Sequence, residues 1–228
     1  MEESRDDWLE VLRSGDAAFV DLVGTGINLT SRLGSLKVHD ILNGADILAA
    51  GPVSQSSSIK AQNIGDGTTI NVGSMLSLLK AARVGDAIIV APRLTTLTVS
   101  GDFEADVTLT GAGTALGSAI IGGKVTDAVF EVRLGSVSYF EAGAFLDSTL
   151  FLGQGGSLTP NQKLQEFLIS GVGGVPFAFV NSDLSAAIVG RVILPSVKTD
   201  NGGNGFGVTA DVSINKVKVK NPFYEYNP

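Results

Sequence analysis

The side chains best able to do chemistry in this sequence are aspartates that lie beside turn residues. Two sets stand out, an early one and a later one near the longest polar stretches: Asp102, Asp106 and Asp127, then Asp183, Asp200 and Asp211. Paired carboxylates about 5 to 9.5 Å apart carry out glycoside hydrolysis, so both sets are candidates. Aspartates in turns just before strands more often hydrogen-bond the backbone at a corner, and this role is favoured for both sets. The later set remains as candidate surface-site residues.

Other catalytic chemistries have few residues to use. His39 is the only histidine and there is no cysteine, so a disulfide framework and thiolate metal sites are excluded. A nucleophilic triad would depend on His39, which follows a short strand-like segment and is expected to be a solvated turn residue. The sequence therefore favours a non-catalytic protein and assigns no catalytic or cofactor-binding residue.

One loop has the composition of a cation site. The stretch Asp200–Gly205 combines carboxylate and amide oxygens with flexible glycines, which suits Ca²⁺. It has neither the spacing of an EF-hand nor that of the glycine-rich calcium repeat. No cofactor is predicted, and calcium in this loop stays an alternative.

The amino-acid composition limits the classes of partner that the protein is expected to bind. Glycine accounts for 29 of 228 residues, only 17% are charged, and the net charge is −7. This balance favours turn-rich β structure and argues against nucleic acid or an anionic membrane as the main partner. No apolar run approaches the ~18 residues of a spanning helix, and the acidic start Met1–Asp7 is unlike a basic signal-peptide start. We expect a soluble chain without membrane insertion.

An internal repeat carries most of the information. Every 20 residues or so an aliphatic residue is followed at +3 and +5 by further apolar residues. The clearest copies begin at Leu33, Leu94, Leu134, Leu164, Val189 and Ile214, and weaker ones begin at Ser56, Leu76 and Leu116. A second set of apolar residues opens short alternating segments after glycine-containing corners, as in Phe103, Val107 and Leu109.

Strands this short are marginal alone, but stacked turns of a solenoid give each one two neighbours. The sequence therefore predicts an all-β fold, a single-stranded parallel β-helix of about nine coils over residues 16–221, with a β-sandwich as the alternative. Leu94, Leu116 and Leu134 are predicted to stack in one buried column. Core positions are also predicted for five phenylalanines: Phe103, Phe130, Phe140, Phe145 and Phe151.

The two ends differ from the repeats. Trp8, Leu9 and Leu12 share one helical face, so Ser4–Arg13 is predicted to form an amphipathic helix within an N-terminal cap over residues 1–15. A partner-binding helix is the alternative. Lysines alternate with valines over residues 216–220, a pattern that protects a sheet edge, and residues 222–228 form a C-terminal tail.

Longer gaps between repeats mark insertions at corners. The three stretches are Gly153–Lys163, Gly171–Ser182 and Asp200–Gly207, all rich in glycine and polar residues. Insertions into a repeat tend to fall on one face, and a binding function would concentrate there.

Three motifs resemble the repeats of very large bacterial surface proteins of the β-solenoid, haemagglutinin-like type: Leu33–Val38, Leu116–Ser118 and Leu134–Ser138. The stretch from Gly205 to Val217 is similar to the end of such arrays, so the resemblance covers roughly residues 33–221. It implies an extracellular or cell-surface location and a structural or adhesive role, with a glycan or protein ligand and no catalytic residues. The alternative is a carbohydrate-active β-helix that binds or cleaves a polysaccharide.

Overall fold

The computed structural model describes residues 16–18, 21–24, 26–42, 44–200 and 205–227. These residues form strands, turns and bends and contain no helix. The predicted helix over Ser4–Arg13 lies outside the described part of the chain. No helix long and apolar enough to cross a membrane occurs among the residues that are described.

Twenty-five strands follow one another along the described residues. In chain order they are β1 (Asp16–Ala18), β2 (Asp21–Val23), β3 (Ile27–Leu29), β4 (Ser35–Lys37), β5 (Asp40–Leu42), β6 (Ile47–Ala49), β7 (Ser56–Lys60), β8 (Asn63–Ile64), β9 (Thr69–Val72), β10 (Met75–Ala81), β11 (Arg83–Val84), β12 (Ile88–Ala91), β13 (Leu94–Val99), β14 (Asp106–Leu109), β15 (Gly113–Thr126), β16 (Val129–Val132), β17 (Gly135–Leu146), β18 (Thr149–Phe151), β19 (Gly153–Gln154), β20 (Ser157–Leu158), β21 (Lys163–Ile169), β22 (Phe179–Val180), β23 (Asp183–Leu194), β24 (Gly207–Val219) and β25 (Tyr224–Tyr226).

The strands wind into a parallel β-solenoid of about nine turns, as the repeat predicts. Each turn contributes to three faces, and equivalent strands of neighbouring turns pair in parallel. Face A contains β1, β4, β7, β10, β13, β21 and parts of β15, β17, β23 and β24. Face B contains β2, β5, β8, β11, β22 and the ends of β15 and β17. Face C contains β3, β6, β9, β12, β14, β16, β18 and the starts of β23 and β24.

The inward side chains of face A form three columns that run through the stack. One column contains the +3 residues of the repeat with a single exception: Leu36, Ile59, Leu79, Leu97, Ala119, Phe140, Phe167, Val192 and Val217. All nine are buried. Each inward residue is thus enclosed by its own turn and by the turns on either side, which makes the core continuous.

The predicted column of leucines is correct for two members and wrong for the third. Leu94 pairs in register with Leu116, and both are buried. Leu116 then pairs with Val137, whereas Leu134 is 54% exposed. The spacing allowed two phases in this turn, because Val137, Phe140 and Ala142 repeat the +3 and +5 spacing that begins at Leu134, and the strand pairing selects the later one.

Faces B and C each add a column to the core. On face B the column is Ile41, Ile64, Val84, Phe103, Val125, Phe145 and Phe179, and on face C it is Ile27, Ile47, Ile70, Ile89, Val107, Phe130, Leu150 and Leu184. Phe103, Val107 and Leu109 are buried as the second apolar pattern predicts. The same spacing, counted from Val84, predicts that Ile88 faces inward. Ile88 is instead exposed, and the next residue, Ile89, is buried.

Aromatic rings fill the wider later turns. Phe140 has its ring centroid 5.0 Å from that of Phe130, 5.1 Å from that of Phe167 and 5.8 Å from that of Phe145. These contacts alternate stacked and edge-on geometry, which the quadrupoles of aromatic rings favour. Four of the five phenylalanines predicted to be core are buried, but Phe151 is half-buried on the outward side of face C.

The three insertions lie at three different corners and not on one face. The stretch after β18 contains the antiparallel hairpin of β19 and β20 and separates face C from face A. The stretch after β21 separates face A from face B, and the one after Val197 separates face B from face C. The expectation of a single loop-bearing face is therefore wrong, because consecutive turns carry their insertions at successive corners.

The last strand of face A has a partner. β25 folds back antiparallel on β24 after a turn that contains the cis peptide bond Asn221–Pro222. Glu225 of β25 accepts a 2.6 Å ion-pair contact from Lys216 and a 3.6 Å contact from Lys218. The hydrogen bond from Lys216 lowers the pKa of Glu225. The alternating lysines thus anchor a covering strand, whereas the sequence predicted that they guard an open edge.

Candidate functional site

Corner aspartates connect successive turns through the main chain. In six cases the Oδ1 atom of an aspartate accepts a hydrogen bond from a backbone N–H of the next turn, at 2.9 to 3.1 Å. The pairs are Asp40 with Asn63, Asp46 with Thr69, Asp66 with Asp86, Asp102 with Lys124, Asp106 with Val129 and Asp183 with Gly207. Charge-assisted bonds of this kind are roughly twice as strong as neutral ones. These carboxylates therefore stabilise the stacking of turns.

The aspartates singled out from the sequence are divided between this corner role and the surface. Asp102, Asp106 and Asp183 belong to the corner set, while Asp127 occupies a left-handed corner with a φ of 53°. Two more, Asp200 and Asp211, are exposed. Residues 201–204 of the predicted calcium loop lie outside the described residues, so that site stays a prediction.

His39 lies at a corner between faces A and B and is 58% exposed. Its Nδ1 atom is 3.1 Å from Asp40 Oδ2 and 3.3 Å from Asp21 Oδ1 in the preceding turn. Within the described ranges, these three residues form the one group of metal-ligating side chains whose ligand atoms lie within 4.8 Å of one another. The contacts join the imidazole to two carboxylates at an exposed corner of the solenoid.

The most unusual surface feature is a row of three lysines on the outward side of face A. Lys37 of β4 pairs in register with Lys60 of β7, and Lys60 pairs with Lys80 of β10. All three side chains are exposed, and no ion pair joins any of them to an acid among the described residues. Paired strands are about 4.8 Å apart, and like charges directly opposite one another destabilise a sheet. We call Lys37, Lys60 and Lys80 the lysine row.

A groove of about 640 Å³ runs beside the lysine row, at the corner between faces A and B. Small and neutral residues line it between the lysines, and His39 lies at one end. The other lining residues are Val38, Ala61, Gln62, Ala81, Ala82 and Ser100. None of the described residues that line the groove is acidic, although the chain carries a net charge of −7. The groove is therefore a local cationic surface on an acidic protein.

Sequence reasoning missed the lysine row, although its signal is present. In three successive repeats the lysine occupies the +4 position, between the inward residues at +3 and +5. The apolar residues define the phase of each repeat, and that phase also places the residues between them on the opposite side of the strand. Comparing the outward positions of successive repeats would have brought the three lysines together.

A second groove, of about 480 Å³, crosses face C beside the hairpin of β19 and β20. Phe151 contributes an aromatic surface, Thr108 and Thr149 contribute hydroxyls, and Asp106 and Glu131 contribute carboxylates. Both carboxylates already have partners: Asp106 accepts the N–H of Val129, and Glu131 forms a 3.0 Å ion pair with the guanidinium of Arg133. The groove thus offers the ring of Phe151 as a surface on which a sugar could lie, while its two carboxylates are occupied by contacts within the protein.

Tyr139 lies on the outward side of face A, beside the carboxylate of Glu141. Its hydroxyl donates a 2.6 Å hydrogen bond to Glu141 Oε2. That bond, together with partial burial and the negative charge of Glu141, raises the pKa of Tyr139 to about 12. A phenol with a raised pKa holds its proton firmly, so it acts here as a hydrogen-bond donor and not as a base.

No protein-family model, curated protein or solved structure matches this chain. The β-solenoid architecture therefore stands on the strand pairing of the chain itself. The resemblance to haemagglutinin-like surface proteins rests on the sequence motifs alone.

Proposed function

We propose that this chain is a non-catalytic structural or adhesive module of an extracellular bacterial protein. The observation that carries the proposal is the register of the outward side chains. Because equivalent strands pair residue by residue, these side chains form straight rows about 4.8 Å apart from turn to turn. Such a surface fits an extended partner better than a small substrate, which binds in an enclosed pocket.

The corner carboxylates support a structural role. A general acid or base needs a carboxyl group that is free to exchange a proton with a substrate. Asp102, Asp106 and Asp183 instead each accept a main-chain N–H of the next turn, which holds the carboxyl group in a fixed position. Their chemistry is used in joining turns.

The extracellular location is part of the proposal and comes from the motifs. The glycine of Leu116–Ser118 has a packing reason, because a Cβ atom at Gly117 would overlap the carbonyl oxygen of Thr95 in the preceding turn. This shows that the motif belongs to the solenoid itself. Its similarity to surface-protein repeats supports a place in an array of the same kind.

The test combines retention with turnover. The purified chain is incubated with pectins, alginates, chondroitins and neutral glycans, with and without calcium, and retention and released chain ends are both measured. We expect retention of at least one extended polymer and no release of reducing or unsaturated ends. Reproducible release that is abolished by Asp200→Asn or Asp211→Asn would overturn the proposal in favour of a carbohydrate-active enzyme.

The groove on face C favours a second candidate function, the binding of a neutral glycan by a carbohydrate-active β-helix. Phe151 is the one of the five predicted core phenylalanines that faces outward, and hydroxyl and carboxylate groups surround it. For this candidate, Phe151→Ala lowers the affinity for neutral glycans at least tenfold. The matched control is Phe223→Ala, which removes another exposed phenylalanine far along the chain. Equal affinities for both variants reject the candidate.

A further inference from the structure

We propose that the lysine row and its groove bind a linear acidic polysaccharide, a sugar chain with carboxylate or sulfate groups at regular intervals. This inference rests on the adhesive role proposed above and names the ligand class for it. The ligand lies along the solenoid axis, so that Lys37, Lys60 and Lys80 each meet an anionic group of successive sugars.

The first argument is the cost of the row in the free protein. Three ammonium groups stand in register with no acidic partner among the described residues, which works against the pairing of β4, β7 and β10. Elsewhere the same fold pairs its outward charges across turns, as in the 2.8 Å contact between Arg191 and Glu166. The lysine row lacks such a partner, and an anionic chain would supply it from outside.

The second argument is the length and direction of the row. It is bounded by Ala18 of β1 before Lys37 and by Thr98 of β13 after Lys80, both in register with the row. The cations therefore form one straight line over three turns, with two intervals of about 4.8 Å each. A line of this kind matches a polymer with one charge per sugar, whereas a single small anion would use one lysine and leave the others unpaired.

The third argument is the chemistry of the groove floor. Ala61, Ala81 and Ala82 keep the floor shallow, and Gln62 and Ser100 provide groups that hydrogen-bond to hydroxyls. Sugar chains are rich in hydroxyls and lie flat on such surfaces. Among the residues that the structure describes, no aromatic side chain lines the groove, so these residues offer the bases of a single-stranded nucleic acid no stacking platform.

The remaining anionic partners fit less well. Nucleic-acid binding relies on many phosphate contacts, and this chain carries a net charge of −7 with three lysines in the row. Binding to an anionic membrane takes a larger basic patch or apolar side chains that enter the lipid, and the groove is lined by small residues. The acidic polysaccharide is thus the macromolecule that the site favours.

The experiment compares two triple variants with the same change in charge. Lys37→Gln, Lys60→Gln and Lys80→Gln together remove the row, while Lys163→Gln, Lys198→Gln and Lys220→Gln remove three lysines elsewhere. Binding is measured by calorimetry against polygalacturonate, alginate, a heparin-type sulfated chain, neutral dextran, single-stranded DNA and phosphatidylserine vesicles, at low and high salt. Thermal unfolding of each variant checks that it is folded.

We expect the wild type and the control variant to bind a carboxylated or sulfated chain, with affinity that falls as salt rises. The row variant should lose at least tenfold in affinity and should melt no lower than the wild type, because it is relieved of like charges. Comparing polygalacturonate with the sulfated chain identifies which anionic group is preferred, and a preference for either supports the proposal.

Three results would overturn it. If a neutral glycan binds and the row variant binds it equally well, this inference fails while the adhesive role stands. If no polysaccharide binds at all, both fail. If only DNA or phosphatidylserine vesicles bind, and the row variant loses that binding, the row is an anion site for a different class of partner.

Discussion

Val137 and Leu134 provide the sharpest test of the register of the solenoid. Both are aliphatic, they are three residues apart, and the repeat pattern alone predicts that both face inward. Val137 is fully buried between Leu116 and Leu164 in its column, while Leu134 is 54% exposed. We therefore compare Val137→Asp with Leu134→Asp, two substitutions with the same change in charge and a similar change in size.

The expected magnitudes differ by an order. At position 137, aspartate gives up the burial of a valine, about 1.5–3 kcal/mol, and places a carboxyl group without a partner in an apolar column, about another 1–3 kcal/mol. The sum of about 2.5–6 kcal/mol is a large part of the ~5–15 kcal/mol that typically stabilises a domain. At position 134 the side chain meets solvent, and the change should stay within about 0.5 kcal/mol.

The assay is urea unfolding followed by far-UV circular dichroism, with thermal melts on the same samples. Because each turn contacts mainly its neighbours, local loss of structure is also followed by hydrogen exchange in β17 and in its two neighbours on face A, β15 and β21. We expect Val137→Asp to unfold early and Leu134→Asp to match the wild type. A destabilised Leu134→Asp beside an unaffected Val137→Asp would refute the register, since the two residues would then have exchanged places.

Three further outcomes follow from contacts described above. Phe140→Ala should cost about 3–5 kcal/mol of unfolding free energy in the same urea assay, because it empties the centre of the aromatic cluster; a loss below about 1 kcal/mol would mean that the rings do not pack as described. Gly117→Ala should lower stability by about 1–3 kcal/mol, while Gly173→Ala, which has no heavy atom within 4 Å of its added Cβ, serves as the control; equal melting temperatures would contradict the close approach of the turns. Tyr139 should ionise at about pH 12, measured by absorbance at 295 nm, and Glu141→Gln should bring its pKa back toward 10.0. The stability that the hydrogen bond adds is therefore complete below about pH 10 and is lost as the pH rises to about 12. A Tyr139 titration that Glu141→Gln leaves unchanged would rule out the bond.

The fold could be predicted from the sequence because its core is periodic. Each turn returns an aliphatic or aromatic residue to the same column, so spacing alone identified Leu36, Leu97 and Val192 as equivalents. The method failed at Leu134 because Val137, three residues later, begins a second apolar triplet with the same spacing, and only strand pairing shows which of the two faces inward. That choice leaves no mark in composition, since leucine serves equally well inward or outward in a short motif.

The candidate site was harder to predict because it is formed by side chains from successive turns, which strand pairing aligns, and not by residues close together in sequence. A single lysine such as Lys60 has no special neighbours in sequence, and the row becomes visible only when the pairing of β4, β7 and β10 is known. Aspartates attracted attention because carboxylates often catalyse reactions. Most of the aspartates that have a hydrogen-bond partner, such as Asp106, accept a main-chain N–H of the next turn and so stabilise its stacking.

The three corner insertions show that in this architecture the loops can vary in length while the paired strands of the core stay the same. Leu150 pairs with Leu184 on face C across more than thirty intervening residues, yet the column passes through without a break. The same holds on face B, where Phe145 pairs with Phe179. A corner can therefore lengthen, shorten or exchange its loop while the adjoining strands keep their partners. Each corner is therefore a site where a new peptide can be inserted, in evolution or by design, without changing the strands of the solenoid.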